Sequence, residues 1–241
     1  KSFTIKIKEI IFLILNKMNN YKTILAFDLD GTLLDSADDL IDTLNILLKE
    51  NKVPSMQRSD VNDLVGNGAL SMIKKAFKIN GIYHKDVSWE PLKERFLKIY
   101  EQNCVNKSKL FPHTTTVLEK LKSKNYALII VSNKPEFFVK KILNYFKLEK
   151  FFSAISGGDT FDYRKPSPIH LHETIKLTNI KDYNCIFIGD SINDALCAKR
   201  SGSKLILLKH GYSDKNINNM NADIILEDLK KIPQIISKLK F

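Results

Sequence analysis

The sequence predicts an α/β protein, a doubly wound parallel sheet with an inserted all-helical domain. Three observations carry this. Short apolar runs such as Ile24-Leu25-Ala26-Phe27 and Cys185-Ile186-Phe187-Ile188 stop at polar or glycine positions, the pattern of interior parallel strands buried on both faces. Segments with helical spacing alternate with those runs, as βαβ crossovers require. Between about residues 35 and 111 the pattern is helical throughout, with no convincing strand, so a helical domain interrupts the α/β rhythm. The core is expected in residues 20–34 plus 112–241 and the helical domain in 35–111, with residues 1–19 as an N-terminal extension.

At 241 residues the chain is long enough for a substantial core and a smaller insert. Hydrophobic residues make up 44% and charged residues 27%, an ordinary globular balance. The net charge of +11 comes overwhelmingly from lysines scattered along the chain. No aromatic-interleaved basic stripe accompanies them, so nucleic acid is not an expected partner, although a general attraction for anionic substrates fits. Cys104, Cys185 and Cys197 are odd in number and form no Cys-x-x-Cys pair. They read as buried free thiols in a reducing, cytoplasmic setting rather than a disulfide or zinc framework. The apolar run Ile10 to Leu15 is far short of the ~20 residues a membrane span needs and lacks a small-residue cleavage site, so no membrane association is expected. The residues ahead of Met18 are expected to be a poorly ordered extension or an upstream translation of the reading frame. A monomer or homodimer is expected.

In chain order, the opening strand ends at Phe27, and Ser36 is placed to cap a helix whose face is Leu40, Leu44, Leu47 and Leu48. A short helix follows Ser59, another runs through Leu70, Ile73 and Phe77, and a third carries Leu92, Phe96 and Ile99. Leu64-Val65-Gly66-Asn67-Gly68 forms a glycine-rich bend between the first two of these. The α/β rhythm resumes at Phe111-Pro112 with a helix from Thr114 to Ser123 and a strand from Tyr126 to Val131. A helix with Phe138, Ile142 and Phe146 leads to the run Phe152 to Ser156 and the Gly157-Gly158 pair. Ser167 caps the next helix, with Pro168 at its first position. The strand Cys185 to Ile188, a helix to Gly202, the strand Lys204 to Leu208, the short strand Ile224 to Leu226 and a last helix complete the chain. The helical domain joins the core by two short crossings, which suits a hinge.

Polar residues punctuate four of these segments: Asp28 and Asp30, Ser132 and Asn133, Lys165, and Asp190 with Asp194. Each alone could be a turn, a cap or a solvated charge. Open α/β sheets, however, bind ligands beyond the carboxyl ends of their strands. Residues i and i+2 of a strand point the same way, so Asp28 and Asp30 are expected to leave its end together. Gly31 lets the chain turn sharply after them. Paired carboxylates can hold a hard cation or divide into a nucleophile and an acid/base.

Asp28-Leu29-Asp30-Gly31-Thr32-Leu33-Leu34-Asp35-Ser36 after an apolar strand resembles the first signature of the haloacid dehalogenase-like (HAD) superfamily. Ser132, Lys165 and Asp190/Asp194 follow in the order that family's pattern demands. The resemblance covers nearly all of the chain from about residue 20 and implies a HAD-like Rossmannoid core with a helical cap. It further implies that Asp28 attacks phosphorus to give an aspartyl-phosphate. Asp30 would first protonate the leaving alkoxide and then activate water. Ser132, Asn133 and Lys165 would bind the phosphoryl group, and Asp28, Asp190 and the Asp30 main-chain carbonyl would hold Mg²⁺, with Mn²⁺ also compatible. Thr32 and Asp194 would support the site. Asp30 points to phosphoryl transfer, because dehalogenating relatives lack that second aspartate.

Within the superfamily, Ser132-Asn133-Lys134-Pro135, Gly157-Gly158-Asp159, Lys165-Pro166 and His210-Gly211-Tyr212 resemble the phosphoglycolate phosphatase family. That likeness implies Mg²⁺-dependent hydrolysis of a small phosphorylated organic acid, 2-phosphoglycolate. Backbone amides at Gly66, Asn67 and Gly68 would lie near the substrate carboxylate, or the bend is a simple interhelix turn. The alternatives are a β-phosphoglucomutase-like phosphotransferase acting on a sugar phosphate, then a pyrophosphatase or nucleotidase of the same capped group. A non-enzymatic nucleic-acid binder ranks last.

Overall fold

A computed structural model describes residues 23–82, 88–213 and 216–239; the expectations for residues 1–19 and for the region around Met18 lie outside the described residues. The chain opens with β1 (Thr23–Phe27) and the two-residue β2 (Leu34–Asp35), followed by the helices α1 (Ala37–Glu50), α2 (Val61–Leu64), α3 (Ala69–Ile79) and α4 (Trp89–Asn103). After β3 (Lys109–Leu110) come α5 (Thr114–Ser123), β4 (Ala127–Val131), α6 (Glu136–Tyr145), β5 (Phe152–Ser156) and α7 (Pro168–Lys176). Then follow β6 (Asn184–Gly189), α8 (Ile192–Ser201), β7 (Lys204–Leu208), β8 (Ile224–Leu226) and the short α9 (Ile232–Ile235).

Six strands form one sheet in the order β5-β4-β1-β6-β7-β8, every pairing parallel. Counted along the chain without the β2–β3 ribbon, that order is 3-2-1-4-5-6, the doubly wound arrangement. The strand order reverses at β1, whose neighbours are β4 and β6. The crevice at this reversal is where such sheets hold their ligands.

Alternation along the strands sorts their side chains onto two faces. Leu25, Phe27, Leu128, Ile130, Ile186 and Ile188 join one apolar cluster, and Ile24, Ala26, Ile129, Val131 and Phe187 join the other. Leu171 and Ile175 of α7 and Ala195 and Ala198 of α8 cover the second face. The first face is continuous with buried residues of the helical segment, among them Leu44, Leu47, Ile73, Phe77, Phe96 and Tyr100. Parallel strands with both faces covered have no solvated side, which is why their sequences are near-continuous apolar runs.

Among the described residues no strand lies between β2 and β3. These two pair antiparallel, Leu34 with Leu110 and Asp35 with Lys109, so the chain enters and leaves the helical segment through one small ribbon. Strands of two residues are too short to show alternation, and the sequence pattern does not reveal them. The Asp39 carboxylate, only 1% exposed, accepts from the Lys107 and Ser108 amides and the Ser108 hydroxyl, tying α1 to the returning crossing. Ser36 does occupy the position before α1, but it makes no side-chain cap. Its hydroxyl donates to Asp30 Oδ1 at 2.6 Å instead. Ser167 caps α7 as expected, accepting from the Ile169 amide. Among the described residues no helix is long and apolar enough to cross a membrane, and the three cysteines are buried and unpaired.

Candidate active site

β1 ends at Phe27, and Asp28 follows as its amide donates to Ile188 O of β6. Its carboxylate therefore emerges where the strand order reverses. Asp28 Oδ1 accepts from the Leu29 amide at 2.7 Å and lies 2.9 Å from Lys165 Nζ. Its other oxygen is hydrogen-bonded to none of the described residues. Asp30 lines the same cavity but pairs with a different lysine. The chain beyond Phe27 is no longer a strand: the Thr32, Leu33 and Leu34 amides all fold back on Leu29 O, so this turn, and not the period of a strand, places Asp30. Its Oδ2 instead meets Lys134 Nζ at 2.8 Å.

Lys165 is brought in by the loop ahead of α7, and its side chain is 1% exposed. It bridges Asp28 and Asp194, the latter at 2.7 Å. Burial opposes its charge, but Asp194 and then Asp28 hold the ammonium above its usual range. The second oxygen of Asp194 accepts from the Asp190 and Ser191 amides and the Ser191 hydroxyl, so Asp194 orients Lys165 and the end of β6 rather than facing a ligand. Asp190 receives the Thr32 hydroxyl at 2.7 Å and the Tyr212 amide at 2.8 Å. Two glycines leave it room. A Cβ at Gly31, whose φ is +81°, would sit 2.3 Å from Asp190 Oδ2, and one at Gly211 only 2.1 Å from Asp190 Cβ.

Ser132 is 2% exposed and lines the same cavity as Asp28, Asp30 and Asp190. Asn133 lines the cavity as well, but its side chain is turned to other partners. Its Nδ2 donates to Gly66 O and Lys165 O, both at 3.0 Å, so it ties the helical segment to the Lys165 loop. Asn193 Nδ2 also donates to Gly66 O and to Asn67 Oδ1. Gly66 and Gly68 line the cavity, while the Asn67 side chain is engaged by Asn193.

Three residues at the site were not assigned a role from the sequence. Lys134, within the Ser-Asn-Lys-Pro stretch, is buried between Asp30 and the Tyr100 hydroxyl, the latter at 2.9 Å. Burial opposes its charge, and Asp30 and then Tyr100 hold it protonated. Tyr100 comes from α4. Tyr212 reaches from the loop after β7 to accept the Ser36 and Ala37 amides and donate to Asp35, pinning the start of the helical segment. Only the Lys134 stretch and His210-Gly211-Tyr212 carried a sequence signal, as family likeness.

The cavity spans about 670 Å³ counting the space open to solvent. Asp28, Asp190 and Asp194 present carboxylate oxygens within 4.8 Å of one another. Burial pushes Asp28 up to about 6, Lys165 opposing and the Asp194 and Asp30 charges adding to it. Burial, then Asp194 and Asp28, raises Asp190 well above the carboxylate range. Of four carboxylates, Asp28, Asp30 and Asp194 pair with two ammoniums, Lys134 and Lys165, and Asp190 pairs with neither, so when ionised the set carries two excess negative charges (4 − 2). An anionic substrate could not approach that balance unaided. Oxygen donors with uncompensated charge are the donor set of a hard divalent cation, and with Asp194 saturated, Asp28 and Asp190 are the side chains that fit it.

The chain is similar to several known proteins. The haloacid dehalogenase-like hydrolase family model matches residues 25–208. A phosphoglycolate phosphatase of Agrobacterium fabrum is 33% identical over 214 residues, 88% of this chain and 92% of the relative. One from Colwellia psychrerythraea is 35% identical over 195 residues, covering 80% and 86%. The crystal structure of a predicted phosphoglycolate phosphatase from Haemophilus somnus superposes with a TM-score of 0.82 at 31% identity, over 90% of this chain and 98% of that one. With that family model matching residues 25–208 and relatives more than 30% identical over most of their length, the chain belongs to the haloacid dehalogenase-like hydrolases.

Proposed function

We propose that the protein is a phosphoglycolate phosphatase, hydrolysing 2-phosphoglycolate to glycolate and phosphate with Mg²⁺ as cofactor. The observation that carries this is Asp28, a buried carboxylate at the reversal point of the sheet. One of its oxygens is fixed by Lys165 and the Leu29 amide, and the other is unengaged among the described residues. The phosphoglycolate phosphatases among its relatives support the substrate.

Asp28 attacks phosphorus in line, forming a carboxylate–phosphorus bond as the ester P–O bond breaks. Asp30 gives its proton to the departing glycolate oxygen. It then takes a proton from water, which attacks the same phosphorus and releases Asp28 and phosphate. Lys165 and the Ser132 hydroxyl hold phosphoryl oxygens whose charge would otherwise repel the attacking carboxylate. Mg²⁺, held by Asp28, Asp190 and the Asp30 carbonyl, would neutralise charge on the phosphoryl group. Residues 35–111 act as a cap over the site, and the unpaired cysteines fit a reducing compartment such as the cytoplasm.

The test is steady-state phosphate release with Mg²⁺ over 2-phosphoglycolate, glucose 1-phosphate, pyrophosphate and nucleoside monophosphates. A preference for 2-phosphoglycolate, lost with EDTA and in Asp28→Asn, is expected. Activity ranked otherwise but lost in the same controls would refute the substrate, and release that survives Asp28→Asn would refute the nucleophile.

A further inference from the structure

Among the described residues, Lys134 is the only basic one that lines the cavity. Its ammonium sits 2.8 Å from Asp30 Oδ2 and donates to the Tyr100 hydroxyl at 2.9 Å. Tyr100, 1% exposed, lines the cavity, and its own hydroxyl hydrogen has no acceptor among the described residues. A buried cation and an idle hydroxyl donor therefore lie side by side, next to the residue read above as the leaving-group acid. Much of the wall contributed by the helical segment and α6 is apolar, with Leu40, Val65, Met72, Phe96, Leu97 and Phe138.

We propose that Lys134, with the Tyr100 hydroxyl beside it, is the receptor for the substrate's carboxylate and selects phosphate esters that bear one on the carbon next to the ester oxygen. This deepens the proposed function and rests on Asp30 as leaving-group acid. An acid must lie within hydrogen-bond reach of the oxygen it protonates. In 2-phosphoglycolate a single methylene separates that oxygen from the carboxylate, so a cation touching Asp30 is within reach of the carboxylate. Apolar walls offer sugar hydroxyls few partners, and unpaired polar groups are costly to bury. Asp30 and the incoming carboxylate then share Lys134, while Tyr100 supplies a second donor from the cap. Substrate is thereby contacted from both the core loop and the helical segment.

The experiment compares kcat/KM for 2-phosphoglycolate with that for ethyl phosphate, in which a methyl replaces the carboxylate, in wild type, Lys134→Met and Tyr100→Phe. Glycolate is also the better leaving group, so the readout is the change of the ratio on substitution. Loss of a charge-assisted contact should lower the ratio roughly 10- to 100-fold in Lys134→Met, mainly through KM for 2-phosphoglycolate. Tyr100→Phe should lower it several-fold. Equal losses on both substrates would overturn the proposal and leave Lys134 as a positioning residue for Asp30. Should Lys134→Met fail to fold, an unchanged ratio in Tyr100→Phe would overturn it instead. A wild type that hydrolyses both esters equally well would refute the receptor while sparing the phosphatase. A wild type that hydrolyses neither would refute the phosphatase and the receptor with it.

Discussion

Replacing Lys165 by methionine keeps most of the side-chain volume and removes the ammonium that joins Asp28 and Asp194. The side chain is 1% exposed, with carboxylate oxygens at 2.9 and 2.7 Å. Breaking a buried pair by deleting one partner costs about 3–5 kcal/mol, because the remaining charge is left uncompensated. Asp194 keeps three donors on its other oxygen, so the deficit falls mainly on Asp28, which keeps only the Leu29 amide. Burial already pushes Asp28 up to about 6 with the lysine present, and removing the lysine pushes it higher. A carboxyl whose folded pKa is raised above its unfolded value near 3.8 holds more protons in the native state. The stability tied to it is present below that unfolded value and lost as pH rises through the folded one. The variant should therefore be most deficient at pH 8 and least at pH 5. For a chain of this size about 3–5 kcal/mol corresponds to a Tm lower by roughly 6–20 °C. Thermal melts in EDTA at both pH values measure it, with Lys165→Met/Asp194→Asn as the second arm. That double variant should lose less than the sum of the single ones, as expected for groups in one network. A single variant within about 1 kcal/mol of wild type at pH 8, or a deficit independent of pH, would refute the reasoning.

Other expectations follow from the same geometry. Adding Mg²⁺ to EDTA-treated protein at pH 8 should raise the Tm, by about 2.7 kcal/mol of stability at a hundredfold excess over Kd, and Asp190→Asn should abolish the rise. Gly211→Ala would force a Cβ against Asp190; it should cost about 1–3 kcal/mol by overpacking and weaken the Mg²⁺-induced shift in melts. His170 is buried, its Nε2 on Ser156 and its Nδ1 without a partner among the described residues. Burial, then the Lys165 charge, pulls it down to about 4. Its unfolded form binds a proton near pH 6.5, so stability is intact above that value and falls by about 3 kcal/mol as pH drops through 4. Urea midpoints at several pH values should show this slope in wild type and a shallower one in His170→Asn.

The strands and much of the site were legible in the sequence because both leave local marks. A parallel strand buried on both faces must be apolar along its length, and Asp28, Ser132 and Asp190 stand out because they interrupt such runs. Helix faces such as Leu40, Leu44, Leu47 and Leu48 announce themselves by spacing, and all four are buried. The β2–β3 ribbon was not legible, since two residues have no period. How Asp28 and Asp30 come to line one cavity was not legible for a related reason: the strand stops at Phe27, and beyond it the turn around Leu29 decides where each side chain points.

What the sequence by itself determined, then, is the order of elements, the strand ends and the residue types that collect there. Which buried charge meets which was decided by the tertiary structure alone. Tyr100 and Lys134 are 34 residues apart, Tyr212 and Ser36 are 176 apart, and Asn133 reaches Gly66 across 67 residues. None of these partners shares a period or a turn with the other. A buried ammonium or hydroxyl takes whatever partner the packing of distant segments brings within about 3 Å. A one-dimensional pattern records that a polar residue interrupts an apolar run, but the group that satisfies it is supplied by the fold.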